Sequence, residues 1–108
     1  MKICLLFLTC ANVKEANNIS KTLLEKRLII CAKTFPVSSS FLWKGEIDNA
    51  NEVLLVMDSI EENFGKVRIE VAKIHSYKTF VLFSSPVTKT TSEVNNWMKQ
   101  ELVKKFLT

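Results

Sequence analysis

A hairpin pattern in the middle of the chain constrains the fold more than any other sequence feature. Two apolar stretches, 41–47 and 52–57, flank a short polar stretch at 48–51. This pattern predicts two antiparallel strands joined either at Lys44-Gly45 or through the polar stretch. Strands joined by so short a connection are neighbours in one sheet, so the other elements must be arranged around this pair.

The remaining elements follow from apolar patterns and from helix capping signals. The uninterrupted apolar run at 2–10 is typical of a strand that is buried on both faces. Three residue pairs have the spacing of a capping box, which marks a helix N-terminus. They are Asn12 with Glu15, Ser59 with Glu62, and Thr90 with Glu93. The predicted elements are a strand at 2–10, a helix at 13–27, a strand at 28–44 bent near Pro36, a strand at 52–57, a helix from 59 to 74, a strand at 79–83 and a helix from 90 to the C-terminus.

This order predicts an α+β fold of the ferredoxin-like βαββαβ type, with a long β2–β3 hairpin and an extra C-terminal helix. With 108 residues, the chain is expected to form one domain, 1–108. Both crossovers should be right-handed, which places the two main helices on one face of the sheet. The other face is too apolar to remain in water, so the physical prediction is an oligomer.

Charge and cysteine content exclude several classes of function. The net charge is +4, but the basic residues are spread along the chain, with Lys26-Arg27 and Lys104-Lys105 as the only adjacent pairs. This distribution indicates a solvated surface, so we expect no nucleic-acid partner. No apolar stretch approaches the length of a membrane span, and the run at 1–10 is a poor match to a signal peptide. Three cysteines without CxxC spacing favour reduced thiols and a cytoplasmic location.

Several short motifs resemble those of the CutA divalent-cation tolerance family over about residues 3–103. The motifs are Thr9-Cys10, the segment 24–32 with its Cys31-Ala32, Trp43-Lys44-Gly45-Glu46-Ile47 with Glu52-Val53, Ile74-His75-Ser76-Tyr77, and Pro86-Val87 followed by Trp97. The resemblance implies a homotrimer in which the long hairpin extends a neighbouring subunit's sheet. It also implies a role in the response to metal ions, with copper as a candidate ligand and no obligatory cofactor.

The resemblance singles out His75 and Cys10 as candidate metal ligands. Imidazole binds copper or zinc, and a thiolate prefers Cu(I). The alternatives are a histidine that interacts with a helix dipole and a buried, inert thiol. The carboxylate that the family carries after its histidine motif is absent, because its position is Val81 here, and Ser76 replaces the family's proline. Two ligands fall short of a tetrahedral site, so binding is expected to be weak or shared between subunits.

A second candidate site consists of Trp43, Lys44, Glu52 and Tyr77. These residues are predicted to line a cleft between subunits that accepts a small anion or metabolite, as in trimeric nitrogen-regulatory signal proteins. The alternative is that they only stabilise the subunit interface, where aromatic residues are enriched. Trp97 and Phe106 of the last helix are predicted to lie in the core or to cap it.

Two other functional classes are disfavoured by particular residues. An RNA-recognition module needs an aromatic residue after Lys44-Gly45, whereas Glu46 at that position repels phosphate. An acylphosphatase-like enzyme needs an arginine in a phosphate-binding loop, whereas both arginines, Arg27 and Arg68, fall in predicted helices. No nucleophile and base pair is evident, so the chain is not predicted to be an enzyme.

Overall fold

The computed structural model describes residues 1–103, which form a four-stranded antiparallel sheet and three α-helices. The elements are β1 (Ile3–Cys10), α1 (Val13–Glu25), β2 (Cys31–Trp43), β3 (Glu46–Ile60), α2 (Phe64–Ile74), β4 (Leu82–Pro86) and α3 (Ser92–Met98). A 3₁₀ turn, Glu61–Asn63, precedes α2, and a π-helical turn, Lys99–Val103, continues α3. The strand order β2-β3-β1-β4 confirms the α+β, ferredoxin-like prediction. Within this described part, no helix is both long enough and apolar enough to cross a membrane.

Strand β1 is buried on one face only, so the prediction of a strand buried on both faces is wrong. Cys4, Leu6, Leu8 and Cys10 are completely buried in the core with the apolar faces of α1 and α2. The alternate residues of β1 are only partly buried. An uninterrupted apolar run therefore reflects two different surfaces, the helix-covered core and a second apolar face of the sheet.

This second face, here called the open face, carries large apolar side chains that remain in contact with solvent. The β1 residue Phe7 pairs with Phe83 of β4, which is 65% exposed. At the opposite edge of the sheet, the β2 residue Phe35 pairs with Leu54 on the same face and is 47% exposed. Exposed apolar patches of this kind are rare on monomers, so the open face is a physical reason to expect an oligomer.

The long hairpin turns at Lys44-Gly45, where Trp43 pairs with Glu46. The alternative turn at 48–51 is wrong, because these residues belong to β3. Pro36 lies within a continuous strand at the sheet edge, where its missing N–H costs no ladder bond. The last β1–β3 pair is Cys10 with Val53, so residues 37–52 pair only with each other. We call residues 37–52 the arm.

Helix and strand boundaries differ from the predictions where tertiary contacts use the capping residues. The pair Asn12 and Glu15 does cap α1, since Asn12 Oδ1 accepts from the Glu15 N–H at 2.8 Å. The second predicted box is wrong because Ser59 lies in β3, and its hydroxyl donates to the Leu28 carbonyl at 2.6 Å. Helix α2 instead begins at Phe64.

The other differences concern the ends of predicted elements. The first helix ends at Glu25, β2 begins at Cys31, and β4 lies three residues later than predicted. Thr91, not Thr90, caps the last helix through the Val94 N–H. Trp97 is 50% exposed and so does not lie in the core as predicted. The prediction for Phe106 lies outside the described residues.

The Lys44-Gly45 turn offers a first test of the fold. Both residues have positive φ, 51° and 82°, which is the type I′ geometry that suits asparagine followed by glycine. We expect Lys44→Asn to raise the free energy of unfolding by about 0.5–1 kcal/mol, and Gly45→Ala to lower it by about 1–2 kcal/mol, because a left-handed backbone is costly for other residues. Urea denaturation measures both changes.

Lys89→Asn is the matched control, since φ is not positive at Lys89, which lies in a loop. Its effect should stay within about 0.5 kcal/mol. Equal stabilisation by Lys44→Asn and Lys89→Asn would contradict the turn assignment.

Candidate metal-binding site

Three chain segments converge at the C-terminal end of β1. Cys10 ends that strand, Glu15 lies in the first turn of α1, and His75 follows the last residue of α2. The thiol sulfur, one carboxylate oxygen and one imidazole nitrogen all lie within 4.8 Å of one another. Within residues 1–103 this is the one such group of three that could hold a metal ion. The structure thus brings His75 and Cys10 together and adds a carboxylate.

The His75 ring is held on both nitrogens. Its side chain is fully buried, and Nε2 lies 2.9 Å from the Thr9 carbonyl oxygen. Nδ1 accepts a hydrogen bond from the Tyr77 backbone N–H at 3.0 Å. A nitrogen that accepts carries the lone pair, so the proton is on Nε2, which donates to Thr9. The ring also stacks on Phe80 with a centroid distance of 5.2 Å.

The Cys10 thiol is completely buried, and this environment disfavours its anion. Burial, followed by the negative charges of Glu15 and Glu52, raises the pKa of Cys10 to about 12. The thiol is therefore protonated at neutral pH. Since a metal ligand must be the thiolate, binding at Cys10 has to release a proton.

Glu15 is the site residue that the sequence analysis did not find. Its Oε1 accepts from the Ala11 N–H at 2.9 Å, and its Oε2 accepts from the Ser76 N–H at 2.7 Å. Burial raises the pKa of this carboxyl, but the donors at Ala11 and Ser76, with the nearby His75, lower it further, so the net shift is downward. Glu15 thereby presents a carboxylate and ties α1 to the loop after α2.

Sequence reasoning assigned Glu15 to helix capping and looked for the carboxylate at Val81. The Val81 side chain is apolar and 46% exposed, so it supplies no ligand. The signal for Glu15 was its capping-box position, because the capping glutamate of α1 turns back toward the end of β1, where Cys10 lies.

Tyr77 and Glu52 form a second polar pair beside this group. The Tyr77 hydroxyl donates to Glu52 Oε2 at 2.7 Å, and Glu52 is buried. Burial and the adjacent Glu52 carboxylate raise the pKa of Tyr77 to about 12. The phenol therefore stays protonated and remains a donor throughout the neutral range.

The other two predicted cleft residues lie elsewhere. Trp43 and Lys44 are at the tip of the arm, whereas Glu52 is at its base, where it pairs with Val37. Trp43 is six residues from Val37 along the extended strand, which is about 20 Å. Within one subunit the four residues do not line a common cleft, and only a neighbouring subunit could bring an arm tip to a Tyr77–Glu52 pair.

The donor set fits a soft or borderline metal ion. A thiol, an imidazole and a carboxylate surround a common volume, and these are ligand types that copper and zinc accept. The His75 nitrogens and Glu15 oxygens already have partners, since no buried side-chain nitrogen or oxygen within residues 1–103 lacks a hydrogen bond. These two residues must therefore give up contacts to bind an ion.

Comparison of the sequence with known proteins gives the same family from the family model and from individual relatives. The family model described as CutA1 divalent ion tolerance protein matches residues 4–101. The divalent-cation tolerance protein CutA of Archaeoglobus fulgidus is 35% identical over 88% of this chain and 93% of its own length. That of Thermotoga maritima is 33% identical over 92% of this chain and 98% of its own length.

Solved structures agree with the sequence comparisons. The structure of the periplasmic divalent cation tolerance protein CutA from Archaeoglobus fulgidus superposes with a TM-score of 0.91 at 33% identity, covering 93% of this chain and 98% of its own. The divalent cation tolerance protein of Thermus thermophilus superposes with a TM-score of 0.89 at 25% identity, covering 92% of this chain and 97% of its own. The similarity therefore extends over nearly the whole chain in sequence and in structure.

Proposed function

Because the chain belongs to the CutA1 divalent ion tolerance family, we propose that it is a cytoplasmic homotrimer that responds to metal ions. It binds copper weakly at the Cys10, Glu15 and His75 group, beside the Tyr77–Glu52 pair of the predicted cleft between subunits. The observation that carries the copper assignment is the convergence of Cys10, Glu15 and His75 within 4.8 Å. The cytoplasmic location is supported by three free cysteines, which suit a reducing compartment.

Weak binding follows from the state of the three donors. The Cys10 thiol carries a proton, and His75 Nδ1 and both Glu15 oxygens already accept hydrogen bonds from backbone N–H groups. Binding has to replace these contacts, which reduces the net free energy of association. A low affinity suits a protein that senses an excess of copper and releases the ion when the excess ends.

The proposed trimer is supported by the open face and the arm. Phe83 and Phe35 expose apolar surface that a subunit interface would bury. The arm carries exposed apolar side chains at its tip, among them Leu42 and Ile47, both 76% exposed. A neighbouring sheet is the natural surface for such a two-stranded ribbon, because its unpaired edge can also accept strand pairing.

We propose binding rather than catalysis as the mode of action. A nucleophilic cysteine needs a lowered pKa, whereas the pKa of Cys10 is raised to about 12. Glu15 has both oxygens occupied by N–H donors, so it is poorly placed to act as a base. Cys10 and Glu15 are therefore suited to binding a ligand or to stabilising the fold.

A small-anion signalling trimer without metal is the second candidate. It is favoured by the split of the cleft residues into two pairs, because an arm tip with Lys44 could supply a cation to a neighbouring subunit's Tyr77–Glu52 pair. Titration with inorganic phosphate alongside copper distinguishes the two candidates, since only the metal reading requires His75.

Calorimetric titration with Cu(I), Cu(II) and Zn(II) tests the metal assignment. We expect His75→Ala to weaken Cu(I) binding at least about tenfold, because it removes one ligand of three and leaves the Thr9 carbonyl and Tyr77 N–H without their partner. Cys31→Ser is the matched control: Cys31 is a free thiol outside the Cys10, Glu15 and His75 group, so its loss should leave the affinity unchanged. Identical heats for the wild type and His75→Ala would remove His75 from the site.

A further inference from the structure

Tyr77 makes two hydrogen bonds that connect the candidate site to the arm. Its backbone N–H donates to His75 Nδ1 at 3.0 Å, and its side-chain hydroxyl donates to Glu52 Oε2 at 2.7 Å. The two partners belong to different parts of the fold, since His75 follows α2 and Glu52 lies in β3. One residue therefore bridges the donor cluster and the long hairpin.

The contact with His75 cannot persist when the imidazole binds an ion. In the tautomer that these contacts assign, the ring lone pair is on Nδ1, and it accepts the Tyr77 N–H. In the other tautomer the proton on Nδ1 would face the Tyr77 N–H, and the lone pair on Nε2 would face the Thr9 carbonyl oxygen. A metal–imidazole bond on either nitrogen therefore costs the Tyr77 N–H its acceptor.

The neighbouring residue is held in the same way. The Ser76 N–H donates to Glu15 Oε2 at 2.7 Å, whereas Glu15 Oε1 is the oxygen that lies 3.7 Å from His75 Nδ1. Two successive backbone N–H groups of the segment 75–77 thus depend on atoms of the candidate ligand set. A metal–imidazole bond takes the acceptor of the Tyr77 N–H, whereas the Ser76 N–H can keep its bond to Glu15 Oε2.

Glu52 is placed where such a shift has the greatest effect on the hairpin. The adjacent residue Val53 forms the last pair with β1, opposite Cys10. Between the turn at Lys44-Gly45 and Glu52, β3 pairs only with β2, so Glu52 is the residue at the base of the arm. Its buried carboxylate is held there by the Tyr77 hydroxyl, in a charge-assisted bond of the stronger kind.

We propose that Tyr77 is a positioning residue that couples occupation of the Cys10, Glu15 and His75 site to the arm. The inference rests on the proposed metal binding and adds its structural output. An occupied site withdraws the acceptor of the Tyr77 N–H, displaces Tyr77, and releases Glu52 at the base of the arm. The coupling is reciprocal by thermodynamic linkage. The factor by which an occupied site weakens the Tyr77–Glu52 bond is also the factor by which an intact Tyr77–Glu52 bond lowers the affinity of the site.

Tyr77→Phe separates this coupling from a purely structural role, since it removes only the hydroxyl that reaches Glu52. We expect the variant to bind Cu(I) about tenfold more tightly than the wild type, because its site no longer has to break a charge-assisted hydrogen bond. Amide hydrogen exchange of residues 38–51, measured by mass spectrometry on the full chain, gives the second readout. Cu(I) should accelerate this exchange in the wild type and leave it unchanged in Tyr77→Phe.

The outcomes are distinguishable. Absence of Cu(I) binding by the wild type would overturn the proposed function and the coupling with it. Binding that depends on His75, together with unchanged exchange of the arm and an unchanged or lower affinity of Tyr77→Phe, would overturn the coupling alone. The internal reference is amide exchange of β1, a strand that contains only Cys10 of the three candidate ligands. Cu(I) should change the exchange of β1 less than that of the arm.

Discussion

Phe83→Asp is expected to convert the proposed trimer to monomers. Phe83 is 65% exposed in one subunit and lies on the open face beside Phe7. In a monomer the new carboxylate would be solvated at little cost. In a trimer that covers the open face it would be buried without a partner, which costs several kcal/mol for each subunit. We expect subunit association to weaken by at least about a thousandfold, since each 1.4 kcal/mol is a factor of ten.

Light scattering and sedimentation measure this change directly. The wild type should have three times the 12.3 kDa mass of the chain, and Phe83→Asp should have that mass once. Ile69→Asp is the matched control, because Ile69 is a 48% exposed apolar residue of α2 on the helix side of the sheet. This control should remain trimeric. A monomeric wild type would contradict the assembly, and a trimeric Phe83→Asp would show that the open face is not the interface.

Cu(I) affinity is expected to rise about tenfold for each pH unit between pH 6 and pH 9. Burial and the charges of Glu15 and Glu52 raise the pKa of Cys10 to about 12, so the free protein carries the thiol proton throughout this range. Binding at the thiolate releases that proton, and mass action then favours the complex as the proton concentration falls. Over three pH units the affinity should change by about a thousandfold.

Competition titrations against a Cu(I) chelator of known affinity, at several pH values, provide the measurement. Cys10→Ser should bind more weakly and lose this slope, because serine has no thiol proton to release. Cys4→Ser is a control with the same chemical change at another buried thiol, outside the candidate ligand group, and it should keep the slope. A wild-type profile that is flat with pH would exclude Cys10 as a ligand.

The order of strands and helices could be predicted from the sequence because it depends on local patterns. Apolar periodicity and the Asn12–Glu15 cap each depend on residues that are close together in the chain, and the structure contains both. Boundaries were less predictable where a capping residue found a distant partner. The residues near Ser59 in the chain predict that it caps a helix. In the structure its hydroxyl instead donates a hydrogen bond to the Leu28 carbonyl, 31 residues away.

Two of the three residues of the candidate site could be predicted from the sequence. His75 and Cys10 stood out by residue type and by family resemblance. Glu15 did not, because its local role in capping α1 already accounted for it. Its second role depends on Ser76, which is 61 residues away and meets Glu15 only after α2 has packed beside α1.

The sequence by itself determined the α+β class, the order of strands and helices along the chain and the existence of a long hairpin, because the spacing of apolar and turn residues acts within a few neighbours. The tertiary structure alone decided that β1 has one core face and one open face, and that Cys10, Glu15 and His75 share one volume. It also decided that Tyr77 reaches Glu52 at the base of the arm. These facts depend on packing between segments far apart in the chain, which local patterns do not encode.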